Sequence, residues 1–441
     1  MRLPDLPFVW LLRKEWRELL ASRAWWVMLV LIGPLVGVSF ISAVRTYGEL
    51  SGYGGTSEGV GEAFSPLVGV WAPTFSACEL AAAFLLPFVA IRVVAGDRQS
   101  GAMKLELQHP MPIAFRIAAK AAVLFAGWIV ATAPALIAVA LWRSYGGRVY
   151  VPELSSVLAG HLLNAGLTIA LAAAAAMLTD HPSTAAIVTL SVTVGTWILN
   201  FVAAVHGGIW ERAAGYTPTA MVAEFQHGLV RLDVLVAAVL LIALGLALAT
   251  IWMRLGISVR RRTLESLAAG AVAAIAIVAG TSIKGSADFS ENRMNSFSRA
   301  DEALLATIHQ PLRITAHLAP EDPRRVDVER RALSKLRRSL PSVQVVYVSN
   351  TTTGLFEQNT EHYGEIWYEL GGRRAEGRGT TAESVLDSIY GLAGLAAPPE
   401  GGEIFRGHPL AVAPKGAALT FYGAWPAAVM AGGLFIRRRH A

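Results

Sequence analysis

Residues 154–205 read LSSVLAGHLLNAGLTIALAAAAAMLTDHPSTAAIVTLSVTVGTWILNFVAAV. Two apolar blocks, 154–179 and 183–205, are separated only by Asp180, His181 and Pro182. A helix needs about 20 apolar residues to cross a bilayer, and each block has them. The break is therefore a tight turn at a membrane face. Working outward, six further blocks of this kind occur, at 25–44, 73–94, 121–142, 234–252, 264–283 and 416–436. Pro34, Pro87 and Pro134 lie inside blocks, where a helix in lipid needs neighbours to satisfy the freed carbonyls. Across 441 residues, 54% are hydrophobic and only 16% charged, against about a quarter charged in soluble domains. The pattern predicts an all-α polytopic membrane protein of about eight transmembrane helices. A soluble insert interrupts it.

Lysines and arginines give an orientation. With the N-terminus inside, the short inner segments hold 16 of them and the short outer loops five, namely Arg45, Arg143, Arg148, Arg212 and Arg231. This positive-inside asymmetry puts both termini in the cytoplasm and residues 284–415 outside, the long segment being left out of the count. The expected location is a bacterial inner membrane, with the first span retained rather than cleaved as a signal. A net charge of +6 with no basic stripe gives no footprint for nucleic acid. A single cysteine, Cys78, excludes an intrachain disulfide framework.

Before the first span, residues 8–23 alternate an apolar face (Phe8, Leu11, Leu12, Trp16, Leu19, Leu20) with a charged one (Arg13, Lys14, Arg17, Glu18, Arg23). Such a helix lies in the membrane interface with its cations towards lipid phosphates. Between the second and third spans, residues 96–120 read GDRQSGAMKLELQHPMPIAFRIAAK. Residues 97–108 are expected to form a short charged helix, stopped by Pro110 and Pro112. A helix held between two spans is a lever: whatever pushes it displaces both.

This stretch resembles the permeases of the ABC-2-type exporter family. They carry G-T-x-E-x-L-x-x-x-P here, with a lysine about ten residues on. Gly101, Pro110 and Lys120 match and Leu105 lies one place before the family's Leu, while Ala102, Lys104 and Glu106 stand where the family has Thr, an acid and Leu. The early Lys14-Glu15-Trp16 also resembles that family's elbow helix. The resemblance implies an elbow at 1–24, a six-helix permease domain at 25–260 and a seventh span at 264–283. It implies coupling to a separate cytoplasmic ATPase through Asp97, Arg98, Gly101, Leu105, Glu106 and Pro110. It also implies a second permease copy, identical or related. The chain has no G-x-x-x-x-G-K-[ST], so ATP belongs to the partner and no cofactor or enzymatic site is expected in this chain.

Residues 284–415 have soluble composition. They are expected to form a small α/β domain: helix 300–308, strand 312–318, helix 326–340, strand 343–348, hairpin 364–378 and helix 381–392. The opening DFSENRMNSFS, from Asp288 to Ser298, resembles the D-L-T-x-x-x-x-x-S-L-S entry of the auxiliary domain of gliding-motility-type ABC transporters. Asp288, Phe289, Ser290, Ser296, Phe297 and Ser298 correspond, and Ser298 is the expected helix cap. The resemblance implies a periplasmic or surface protein as partner. His309, His317, His362 and His408 with Glu361 and Glu365 have no metal-ligand spacing, and no metal site is expected.

Ionisable or amide side chains at membrane depth point to function: Glu79, His161, Asn164 and Asn200. Two readings stay open, a polar lining of a transport path and helix-to-helix hydrogen bonds. Two rivals to the exporter also remain. One is a scaffold presenting the outer domain to an envelope machine; the other is a gradient-driven transporter with Glu79 as proton carrier.

Overall fold

The computed structural model describes residues 7–52, 65–108, 111–206, 208–283, 285–319, 322–348, 361–398, 407–410 and 414–440. The chain divides into two compact units: Met1–Asn200, Arg212–Phe289 and Arg406–Ala441 form one, Phe201–Glu211 and Ser290–Phe405 the other. Among the described residues eight helical stretches are long and apolar enough to cross a membrane. This is the architecture of a helical membrane protein.

The first unit opens with α1 (Pro7–Ala21), which breaks at Ser22 before α2 (Arg23–Gly52). A π turn, Leu67–Trp71, leads into α3 (Ala72–Phe84), and Pro87 follows the offset at Leu85 where α4 (Leu86–Ser100) begins. The short α5 (Ala102–Glu106) precedes α6 (Ile113–Ala131) and α7 (Ala133–Ser144), joined at Thr132 ahead of Pro134. Then come α8 (Val151–Leu178), α9 (Pro182–His206), whose end from Phe201 belongs to the second unit with most of α10 (Gly208–Ala214), and α11 (Pro218–Gln226). Strand β1 (Leu229–Arg231) runs into α12 (Leu232–Met253), and α13 (Val259–Gly280) is followed by β2 (Ser286–Asp288). The expected 97–108 helix is realised differently. Asp97 belongs to the last turn of α4, and Gly101, at φ 78°, separates it from the five-residue α5. That backbone is cheap only for glycine.

Small residues set how closely the helices pack. Ala170 and Ala172–Ala176 of α8 are all buried, and a Cβ on Gly245 of α12 would lie 2.9 Å from Ala170. The last helix, α18 (Trp425–His440), follows a π turn at Leu419–Ala424 and packs antiparallel on α2. Phe421 fills the space beside Gly37, Trp425 that beside Gly33, and Trp26 covers Gly433. Trp425 Nε1 donates to the Leu29 carbonyl at 2.7 Å. The carbonyl that Pro34 leaves without its helical donor is the next one, that of Val30. An unforeseen ribbon, β1 antiparallel to β2, joins the sixth span's entry to the seventh's exit.

The second unit contains α14 (Arg299–Leu305), β3 (Leu312–Ala316), α15 (Pro323–Val328), α16 (Ser334–Ser339), β4 (Val343–Tyr347), β5 (Ile366–Leu370), β6 (Arg373–Gly377) and α17 (Ala382–Ala393). The sheet order is β4-β3-β5-β6, parallel between β3 and β4 and antiparallel elsewhere. Alternation along β3 and β5 buries Leu312, Ile314, Ala316, Ile366, Tyr368 and Leu370 against Leu333, Leu336, Val385 and Ile389. Gly371 and Gly372, both at positive φ, supply the turn that a two-residue hairpin requires. Ser298 caps α14 by accepting from the Asp301 N–H.

Two outcomes test this packing. Gly33→Leu should cost roughly 1–3 kcal/mol through overpacking, because its Cβ would meet the Trp425 ring at 2.1 Å. Gly270→Ala, where a Cβ meets nothing within 4 Å, should be neutral in the same detergent-unfolding assay. In the second unit Asp322 caps α15 and is held down to about 2 by hydrogen bonds from Arg324 and Tyr363. A depressed carboxyl stabilises above its ordinary value of 3.8 and loses that contribution as pH falls towards 2. Hydrogen exchange in residues 322–340 should therefore quicken across that window, and Asp322→Asn should flatten the change.

Candidate functional site

The residues singled out around the second and third spans converge on one buried ionic cluster. On α1 the face turned inward is Leu11, Glu15 and Leu19, one residue per turn, so the charge lies within the apolar stripe. Glu15 is fully buried and Asp97 of α4 nearly so. From α6 comes Lys120, 1% exposed. Its ammonium lies 2.8 Å from Glu15 Oε2 and 2.5 Å from Asp97 Oδ2, and it donates to the Val93 carbonyl at 3.3 Å. All three of its N–H groups are thereby used.

Lys14 supplies the second ammonium. It reaches Glu15 Oε1 at 3.3 Å, Asp97 Oδ2 at 3.2 Å and Glu18 Oε1 at 3.0 Å, and pairs closely with Glu106 of α5. Glu15 thus divides its two oxygens between two lysines, while Asp97 Oδ2 serves both. Burial works against the Lys14 charge, but the hydrogen bond to Glu106 and the charges of Glu15 and Asp97 outweigh it and hold the ammonium above the ordinary lysine range. Burial pushes the Glu15 carboxyl up from its ordinary value, against the pull of Lys120 and Lys14. Ligating atoms of Glu15, Asp97 and Glu106 lie within 4.8 Å of one another. The two ammonium groups are the cations of this set.

Arg98, one residue on from Asp97, ties the same helix end to the turn between the fourth and fifth spans. It donates to the carbonyls of Met177 at 3.2 Å and Thr179 at 2.9 Å and pairs with Asp180. A cation at the C-terminus of α8 is well placed against the helix dipole. Beyond this anchor, Leu105 is 68% exposed, and Gly101 has open space around it. Trp16 is half-buried. Pro110 lies outside the described residues.

The intramembrane polar residues have a different arrangement. Three of them find partners on α11 and its cap: Glu79 hydrogen-bonds to Thr219, His161 meets Gln226 at 3.2 Å, and Asn200 accepts from Thr217 at 2.9 Å. Ser156 adds a bond to the Phe225 carbonyl at 2.9 Å. Asn164 is buried one turn below His161 on α8. The arrangement is helix-to-helix hydrogen bonding, clipping α11 to three spans. Sequence reading named one side of each pair and missed Thr217, Thr219 and Gln226, which lie in a segment with no periodic signal.

In the second unit, His317 and His362 gather around Trp367, with ring centroids 4.2 and 5.1 Å from it. His362 Nδ1 lies 3.0 Å from Glu365. These side chains do not bring three ligating atoms together as Glu15, Asp97 and Glu106 do, among the described residues. The arginines of α15 and α16 are largely engaged locally, Arg325 over Tyr347 at 4.0 Å and Arg337 with Glu329.

Removing the Lys120 ammonium strands Glu15 and Asp97 in a buried site, which costs roughly 3–5 kcal/mol. Lys120→Met should therefore unfold markedly earlier in a detergent thermal melt. Adding Asp97→Asn to it should recover much of the loss. Simple additivity of the two losses would mean that the groups do not share one network. Compared with known protein families, with curated proteins and with solved structures, the chain finds no match.

Proposed function

We propose that the chain is the membrane-spanning subunit of an ATP-driven ABC exporter, powered by a separate cytoplasmic ATPase. The observation that carries this reading is the Lys14–Glu15–Asp97–Glu106–Lys120 cluster. It binds the N-terminal helix, the end of the second span, the short α5 and the start of the third span into one body. A push on α5 would be transmitted through Glu106 and Lys14 to α1, and through Asp97 and Lys120 to two spans at once. Exposed Leu105 and the open backbone at Gly101 suit α5 to contact with another protein.

On this reading eight helices cross a bacterial inner membrane with both termini cytoplasmic, as the positive-inside asymmetry supports. Residues 284–415 form an extracytoplasmic α/β domain that meets a periplasmic or surface protein. A second copy or a related chain completes the pathway. The exposed face of α9, where Ile187, Ser191, Val194, Gly195 and Ile198 line a shallow groove, suits such a copy, since small residues let helices approach closely in lipid.

The test is purification from the native membrane. A nucleotide-binding subunit should accompany the protein, and Lys14→Ala should leave that association intact while lowering ATP-driven transport by about tenfold, the scale of a typical coupling energy. Absence of any ATPase partner would remove the engine. Unchanged transport in Lys14→Ala, with the partner present, would remove the lever. A reporter at residue 350 on the same side as the chain ends would overturn the topology.

A further inference from the structure

The paired helices α2 and α18 enclose a groove of about 430 Å³, lined by Trp26, Val30, Leu31, Met430 and Leu434, with Arg23 at one end. Its two ends differ. Beyond Leu31, Trp425 sits against Gly33 and donates to the Leu29 carbonyl, so the two helices are in close contact there. At the other end α2 begins at Arg23, and α18, running antiparallel, finishes with exposed Arg438 one turn beyond Leu434. Among the described residues no acidic side chain lines the groove. Trp26, whose Nε1 donates to the Leu20 carbonyl at 2.7 Å, stands at the mouth, the level at which indoles mark the membrane interface. Ser22 Oγ, at the same junction, is buried without a hydrogen-bond partner among the described residues.

From Arg23 to Leu31 the groove follows eight residues of helix, about 12 Å at 1.5 Å per residue. That is a little under half of the roughly 30 Å hydrocarbon core, which is the reach of an acyl chain within one leaflet. An apolar slot with a cation at its mouth has the shape and charge to take a lipid standing upright in that leaflet.

We propose that this groove is a binding site for one anionic phospholipid, an acyl chain lying along Val30 and Leu31 and the phosphate at Arg23 and Arg438. The lipid fills the side of the α2–α18 pair that the Gly33 and Gly37 contacts leave open. The proposal rests on the membrane-spanning reading alone and does not need the ATPase.

Native mass spectrometry of the purified full-length protein tests it, with phosphatidylglycerol and phosphatidylcholine added in turn. The wild type should retain one phosphatidylglycerol in preference to phosphatidylcholine. A phosphate contact near a membrane surface amounts to about a fivefold preference per basic residue, so Arg23→Gln should lower retention of phosphatidylglycerol by about that factor. Arg23→Lys should keep most of it. Leu31→Trp, which fills the groove, should abolish tight retention of both lipids, and Val30→Phe serves in its place if that variant elutes as aggregate. Equal retention of the two lipids by the wild type, or full retention in the folded groove-filling variant, would overturn the site. Because lipid is counted without any nucleotide-binding subunit, this result and the exporter reading can fail separately.

Discussion

One ammonium group, that of Lys120, organises the first unit. Three hydrogen bonds, to Glu15, Asp97 and the Val93 carbonyl, hold it in a site from which water is excluded. A lone buried charge would cost several kcal/mol, so each of the three elements that supply these partners is constrained to be present. Among the described residues Glu15 is the buried polar side chain of α1, and α4 carries its carboxylate in its last turn. Burying the ion is tolerable only when all three arrive together. This makes the N-terminal helix part of the core, although its composition is that of an interfacial helix.

Polar clips of this kind matter because apolar packing between membrane helices is weakly directional. Lipid tails are as apolar as leucine, so helix association depends on close fit and on hydrogen bonds. Both devices occur here. Gly33 and Gly37 seat the aromatic rings of α18, and Gly245 lets α12 approach α8. Where fit alone would leave helices free to slide, a specific bond sets the register: Trp425 to Leu29, Arg98 to the end of α8, and Gln226 to His161.

The long apolar helices were legible because a bilayer demands long apolar runs, a constraint strong enough to read from composition. The α/β unit was legible for the opposite reason: its strands alternate, and Gly371-Gly372 can only be a turn. Less was visible at the cluster. Lys14, Glu15, Asp97, Glu106 and Lys120 could each be named from sequence, yet nothing in their spacing joins Lys120 to a residue 105 positions earlier. A signal existed in Glu15, which lies one turn from both Leu11 and Leu19 and so falls on the buried stripe. The helix expected over 97–108 was drawn too long because Gly101 was read as part of a charged helix rather than as its stop. The β1–β2 ribbon escaped notice because three-residue strands have no period to detect, and α11 because a nine-residue helix between two long apolar ones resembles any polar connection.

The cluster's charge count bears on how it would work. Among the described residues the Lys14 and Lys120 ammonium groups contact four carboxylates, Glu15, Glu18, Asp97 and Glu106. The inner half is balanced geometrically, with Lys120 between Glu15 and Asp97. In the outer half one ammonium, Lys14, which is less buried than Lys120, is shared by all four acids. Movement of α5 therefore changes the cheaper set of contacts first, since Glu106 can exchange Lys14 for solvent while Lys120 keeps its partners buried. On the exporter reading, a push on α5, which turns at Gly101, would carry α1, α4 and α6 together, because the Lys120 contacts keep those three helices joined while they move.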